Sequence, residues 1–300
     1  MRNLQSVLLA SALCVACAEV PMSPEVPMAP ADRLQGAITF GQPDAGRHPY
    51  VVAFGGEEEG QAGCCCTGTL LSPTVVLTAG HCAFSLTPFV SRIWVGPIDT
   101  LDGEFPFGGE NSYDGTAYPH PDFCHIFLNG LGFGCANNHG VPNWASHDLG
   151  IIVLSEPVPT SIVNEYAQLP PARVVDTLAN KTLLDIVGYG ATEQVHIPGE
   201  GGKFWAFPFE PFHATAEFIS GNFVHSDEWI RHTTNGVRGN GAVCFGDSGG
   251  PTLLSGAGIV IGVASNAPTD FSHFGECTSV LYSNRIDLPE ILSWIQSFMD

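Results

Sequence analysis

The sequence predicts an all-β protein, on three observations. Short β-branched apolar runs recur between turn residues: AITFG, YVVAFGG, TVVLTAG, RIWVGP, LGIIVLSEPV, TLLDIVGYG and GIVIGVAS. Such spacing indicates a sandwich or barrels. The 300 residues include 35 Gly and 23 Pro without a collagen-like period, the signature of many turns. Helical periodicity is confined to the C-terminus, where Ile291, Trp294, Ile295 and Phe298 form one apolar stripe behind Pro289, a residue suited to a first helical turn.

The elements follow in chain order. Met1 to Val20 carries a basic Arg2, an apolar stretch from Val7 to Ala18 and small residues, which predicts a secretory signal peptide over residues 1–18. Ala16-Cys17-Ala18 fits a cleavage site that would release a soluble protein. Cys14-Val15-Ala16-Cys17 resembles a bacterial lipobox, which would place a lipid anchor on Cys17. Residues 19–37 hold Pro at 21, 24, 27 and 30, a stiff tether or a pro-segment. Globular sequence follows over 38–300. The stretch from Pro157 to Pro171 is its expected seam, between a first unit at 38–156 and a second at 172–300. No repeat of fixed period is evident, and no run is long enough for a transmembrane helix.

Composition narrows the function. The chain is 44% hydrophobic and 13% charged, so it can bury cores and is not a disordered protein. Ten Lys and Arg stand against 30 Asp and Glu, a net charge of -20, which argues against nucleic-acid binding. Ten Cys in an acidic, Lys-poor chain point away from a reducing cytosol.

Three segments carry chemistry: TAGHC with His81, HDLGIIVL with Asp148, and GDSGGP with Ser248. A hydroxyl is a poor nucleophile at neutral pH. It needs an imidazole to take its proton, and the imidazole needs an anion to fix its tautomer. The order His, Asp, Ser is that of the chymotrypsin group. With these motifs the chain resembles the trypsin-like serine proteases, from Ile38 to the C-terminus. TLLSPTVVLTAGHC is similar to that family's approach to its catalytic His, CFGDSGGP to its nucleophile loop, and GVAS, ending at Ser265, to the strand supporting the triad Asp.

That resemblance implies two six-stranded antiparallel β-barrels and a C-terminal helix. The site would be a cleft where Ser248 attacks a peptide carbonyl, His81 serves as base and then acid, and Asp148 orients His81 with support from Ser265. Backbone N–H groups of Gly246 and Ser248 would form the oxyanion hole. It also implies disulfides Cys66–Cys82 and Cys244–Cys277, and a salt bridge from a freed Ile38 amine to Asp247. The partners implied are a protein or peptide substrate and a proteinaceous inhibitor, with no cofactor. GDSGG also fits the nucleophile elbow of α/β-hydrolases, and Asp270 and His273 follow in that fold's order. That reading needs a helix after Ser248, where GGPTLLS reads as a strand.

The chain departs from the family in three places. Gly36-Ala37 precede Ile38, with Arg33 the nearest basic residue, so a tryptic activating cut is not expected. Ala242 stands where trypsins have the Asp of the pocket floor, and Ala267 and Val280 stand near its walls. These predict a shallow pocket for small or medium apolar side chains. The long interval before Asp148 holds Cys124 and Cys135, a disulfide or, with His125 and His139, a zinc site; the oxidising compartment favours the disulfide. Asp99, Asp102, Glu104, Glu110 and Asp114 read as a solvated surface, and no metal is expected. Cys64 and Cys65 stay unassigned. Two functions stand: a secreted serine endopeptidase, or a catalytically silent binding or adhesion protein on the same fold.

Overall fold

The computed structural model describes residues 38–58, 61–85, 91–95, 111–125, 145–196, 203–208, 210–219, 227–233, 239–266, 277 and 280–299. The expectations for residues 1–37, among them the signal peptide and the Cys17 anchor, lie outside them. So do those for Ala267, Cys135, His139, Asp99, Asp102, Glu104, Glu110, Asp270 and His273.

Six strands form a closed barrel: β1 Val51–Glu58, β2 Gln61–Leu70, β3 Val75–Thr78, β4 Ser91–Val95, β5 Ser112–Pro119 and β6 Gly150–Leu154. They pair antiparallel in the order β1-β2-β3-β6-β5-β4, with β4 returning to β1. Six more make a second curled sheet: β7 Leu183–Gly188, β8 Phe212–Glu217, β9 Trp229–His232, β10 Pro251–Leu254, β11 Ile259–Asn266 and β12 Leu281–Arg285. Their order is β8-β7-β10-β11-β12-β9, and a bridge between Phe218 and His232 joins the two ends. Thus both halves follow one pairing scheme with no periodic sequence to announce it. The second sheet gains a seventh member, the two-residue strand Gln42–Pro43 against Phe212 and His213. Too short for period-2 alternation, this strand leaves no sequence signal.

Local patterning explains the strands. In β8, FHATAE buries Phe212, Ala214 and Ala216 and turns His213, Thr215 and Glu217 outward, the period of two that a half-buried strand requires. All four residues of β3 are buried. Val76, Leu77, Ile151 and Ile152 of the first barrel share one apolar cluster with Leu253, Val260 and Val263 of the second and with Ile291 and Ile295 of the terminal helix α2 (Pro289–Gln296). Pro289 stands at the start of α2, and Leu288 C=O accepts the first helical bond, from Leu292 N–H at 2.9 Å. The helix ends two residues before Phe298, the last residue of the predicted stripe. Phe298 still packs, with its ring 5.4 Å from that of Tyr118 on the first barrel. The last element of the chain is therefore docked on the first half.

The Pro-rich seam is a packed strap. Val158, Val163 and Ala167 are buried along it. Ala167 N–H donates to Leu70 C=O in the first barrel at 3.1 Å, and Gln168 N–H to Gly258 C=O in the second at 3.0 Å.

Candidate active site

His81 opens the short helix α1 (Gly80–Ser85) directly after β3, and Asp148 precedes β6, which pairs with β3. The two residues, far apart in sequence, are thereby brought to one end of neighbouring strands. His81 Nδ1 lies 2.8 Å from Asp148 Oδ2, and His81 backbone N–H donates to Oδ1 at 2.7 Å. With Nδ1–H donating to the carboxylate, neutral His81 keeps Nε2 unprotonated and able to accept a proton. Ser265 Oγ also donates to Asp148 Oδ2. The pairing of β11 with β12 skips Ser265, so a bulge in the strand aims its hydroxyl at Asp148.

Asp148 is fully buried, which by itself would raise its pKa. The His81 charge and the hydrogen bonds from His81 and Ser265 outweigh burial and hold the carboxyl below its ordinary range. Burial likewise opposes a charged His81, but Asp148 more than offsets it and raises the imidazole above its ordinary value of 6.5.

Ser248 lies in the turn before β10, which continues as a strand against β7 and β11. The helix required by the elbow alternative is absent from this described segment. Its main chain rests on the first barrel: Ser248 C=O accepts from Thr67 N–H at 2.8 Å and sits 3.7 Å from Cys82 Sγ, next to His81. Gly246 and Gly249 take φ of +94° and +88°. A Cβ on Gly249 would also lie 2.1 Å from Thr78 Oγ1 and 2.2 Å from Thr67 O, so only glycine lets the loop approach the barrel this closely.

Asp247 is fully buried. Its carboxylate accepts from Gly190 N–H at 2.8 Å, Cys244 N–H at 2.7 Å and the Ile38 backbone N–H. Burial dominates, and the pKa is pushed up to about 7 despite these three donors. Ile38 is fully buried beside Ile186, Ala214 and Ala216, with φ of +59°, and still bonded to Ala37. What meets Asp247 in the intact chain is thus an amide and not the freed amine of the expected salt bridge.

Ala242 is buried and exchanges two backbone hydrogen bonds with Thr39, at 2.8 and 3.0 Å. Val280 is half-buried. Disulfides join Cys66 to Cys82, tying β2 to α1, and Cys244 to Cys277. Cys124 is disulfide-bonded as well. The side chains of Cys64, Cys65 and His125 are outside the described set; Asp114, from the acidic group, lies on β5. Among the described residues the one metal-like cluster is Cys66, His81 and Cys82, and its two sulfurs are consumed by their own disulfide.

Two participants escaped the sequence reading. Asn284 Oδ1 accepts from Asp148 N–H at 3.2 Å. Thr67 meets the nucleophile loop from across the interface. Neither sits in a motif, although Thr67 directly follows Cys66.

Comparison with known proteins bears on this arrangement. The Trypsin family model matches residues 38–282. Kallikrein 1-related peptidase b24 of Mus musculus is 25% identical over 208 residues, covering 68% of this chain and 70% of the relative. Phenoloxidase-activating factor 3 of Holotrichia diomphalia is 28% identical over 72% of this chain and 59% of its own length. Chymotrypsin-like elastase family member 3B of Homo sapiens is 30% identical over 47% of this chain and 46% of its own length. The chain thus spans about half the length of these last two relatives. Among solved structures, HL collagenase superposes with a TM-score of 0.60 at 17% identity, covering 88% of this chain and 98% of that one. A mutant of human heparin binding protein gives 0.59 at 15%, covering 87% and 96%. Both structures share the fold. The family match runs from Ile38 into β12 and takes in His81, Asp148 and Ser248, and the chain belongs to the trypsin family of serine proteases.

Proposed function

We propose that the chain is a secreted serine endopeptidase that cleaves peptide bonds through Ser248, His81 and Asp148. The observation that carries this reading is the doubly hydrogen-bonded His81–Asp148 pair, supported by Ser265, beside the glycine-rich loop that bears Ser248. Ser248 Oγ attacks the carbonyl as its proton passes to His81 Nε2. The resulting imidazolium is stabilised by ionised Asp148 and then protonates the leaving amine. Water repeats the cycle to release the acyl group. The N–H groups of Gly246 and Ser248 receive the oxyanion, and one such donor contributes about 3 kcal/mol to barrier lowering.

The neutral Ala242 offers no counter-charge to a substrate Lys or Arg, which supports a preference for small or medium apolar side chains on the acyl side. The signal-like leader and the disulfides support secretion. No helix among the described residues is long and apolar enough to cross a membrane. One structural neighbour is a mutant of a heparin binding protein. Heparin is a polyanion, and the net charge of -20 disfavours such a ligand here.

Cleavage profiling of a peptide library by wild type and Ser248→Ala tests this reading. Wild type is expected to cut after small or medium apolar residues and Ser248→Ala not at all. Retained cutting by Ser248→Ala would refute the mechanism, and dominant cutting after Arg or Lys would refute the pocket assignment.

A further inference from the structure

Thr67 is fully buried in β2, on the barrel opposite the nucleophile loop, and its hydroxyl and N–H both bond to groups outside its own barrel. Its hydroxyl donates to Gly246 C=O at 2.9 Å and accepts from Tyr189 N–H at 3.0 Å. Its N–H donates to Ser248 C=O at 2.8 Å, and its own C=O accepts from Thr78 Oγ1, also at 2.9 Å. The carbonyls on both sides of Asp247 are therefore held by one residue. Cys66, its neighbour in the chain, is linked through Cys82 to the helix bearing His81.

This matters because Gly246, at φ +94°, has no Cβ to restrict its peptide planes. The Asp247 carboxylate is anchored on the second-barrel side by Gly190, Cys244 and Ile38, but those bonds do not touch the Gly246 carbonyl. Among the described residues, the Thr67 hydroxyl is its hydrogen-bond partner. We propose that Thr67 is a positioning residue for the oxyanion hole: its hydroxyl locks the Gly246–Asp247 peptide and its backbone N–H holds the Ser248 carbonyl, so that the peptide planes adjoining the two donors are set before substrate arrives. The assignment rests on the acyl-transfer reading of Ser248 and Gly246, and it makes the first barrel responsible for shaping a hole built from the second.

The test compares Thr67→Val, which keeps the shape and loses the hydroxyl, with Thr67→Ser, which keeps the hydroxyl and loses the methyl. Thr67→Val is expected to lower kcat by about 10- to 100-fold, the scale of a small misplacement of catalytic groups. KM should stay within about threefold, because the lost interaction concerns the transition state. Affinity for a peptide boronic acid, which fills the hole as a tetrahedral adduct, should fall in parallel. Thr67→Ser should recover most of kcat. Wild-type kcat in Thr67→Val, a rise in KM alone, or equal loss in both variants would overturn the proposal. Amide hydrogen exchange over residues 244–250 needs no turnover and separates this idea from the protease reading. Faster exchange in folded Thr67→Val supports the lock even if wild type proves inactive, and unchanged exchange refutes it.

Discussion

At the residue scale, the site depends on a carboxylate and an imidazole that shift each other's titration. Asp148 is held below its ordinary range and His81 above 6.5, so the two coexist as an ion pair over a wide acidic interval. Catalysis needs the neutral imidazole. The acid limb of kcat/KM is therefore expected above pH 6.5, with activity rising as pH increases through the His81 pKa. Asp148→Asn should remove that displacement and lower kcat by about 10⁴-fold, the scale known for this kind of triad. A limb well below 6.5 in wild type would contradict the pairing. Both residues were legible because each sits in a motif. Asn284 was not, since a buried amide bonded to a distant backbone N–H leaves no local pattern.

At the element scale, the nucleophile loop is a turn held from several directions around a buried acid. Asp247 has its pKa raised to about 7 in the intact chain. Between the unfolded value of about 4 and this folded value, the native state binds a proton that the unfolded chain does not, so stability falls as pH rises through that window. Wild type should accordingly lose melting temperature relative to Asp247→Asn between about pH 4 and 7. Cleavage between Ala37 and Ile38 should flatten that difference, because a nearby ammonium favours the ionised carboxylate. A constant difference across the window would refute the buried-acid account. The motif GDSGGP located this loop and the family resemblance already implied Ile38 as a partner of Asp247, but neither revealed that Gly190 would enclose the carboxylate. That contact depends on the closed second barrel, and a Cβ on Gly190 would lie 2.6 Å from Asp247 Cγ.

At the scale of the whole molecule, two sheets of identical pairing order share one apolar cluster, and the strap between them is hydrogen-bonded to both. Arg285 secures the turn at Val174–Thr177, which follows the strap. Its guanidinium grips buried Asp287 through Nε and one terminal nitrogen, at 2.8 and 3.0 Å, and reaches Asp176 at 2.8 Å. Asp287 in turn accepts from Val175 N–H at 2.8 Å. Arg285→Ala would strand a buried carboxylate and is expected to cost about 3–5 kcal/mol in denaturant unfolding. A cost under about 1 kcal/mol would show that the network is dispensable. The β-class was legible in the alternation of apolar runs and turns, and the terminal helix in its stripe. The closing order of the strands was carried by the family resemblance, because strand periodicity fixes which face is buried and says nothing about which strand is the neighbour.

The central claim is that Ser248 is made nucleophilic by His81, and covalent labelling tests it most directly. Chain beginning at Ile38 is treated with a fluorophosphonate, and the adduct is located by tandem mass spectrometry. The account predicts a single phosphonylated residue, Ser248, with labelling slowed at least about a hundredfold in His81→Ala, since the hydroxyl then lacks its base. An unlabelled Ser248 in folded protein, or equal labelling with and without His81, would contradict it.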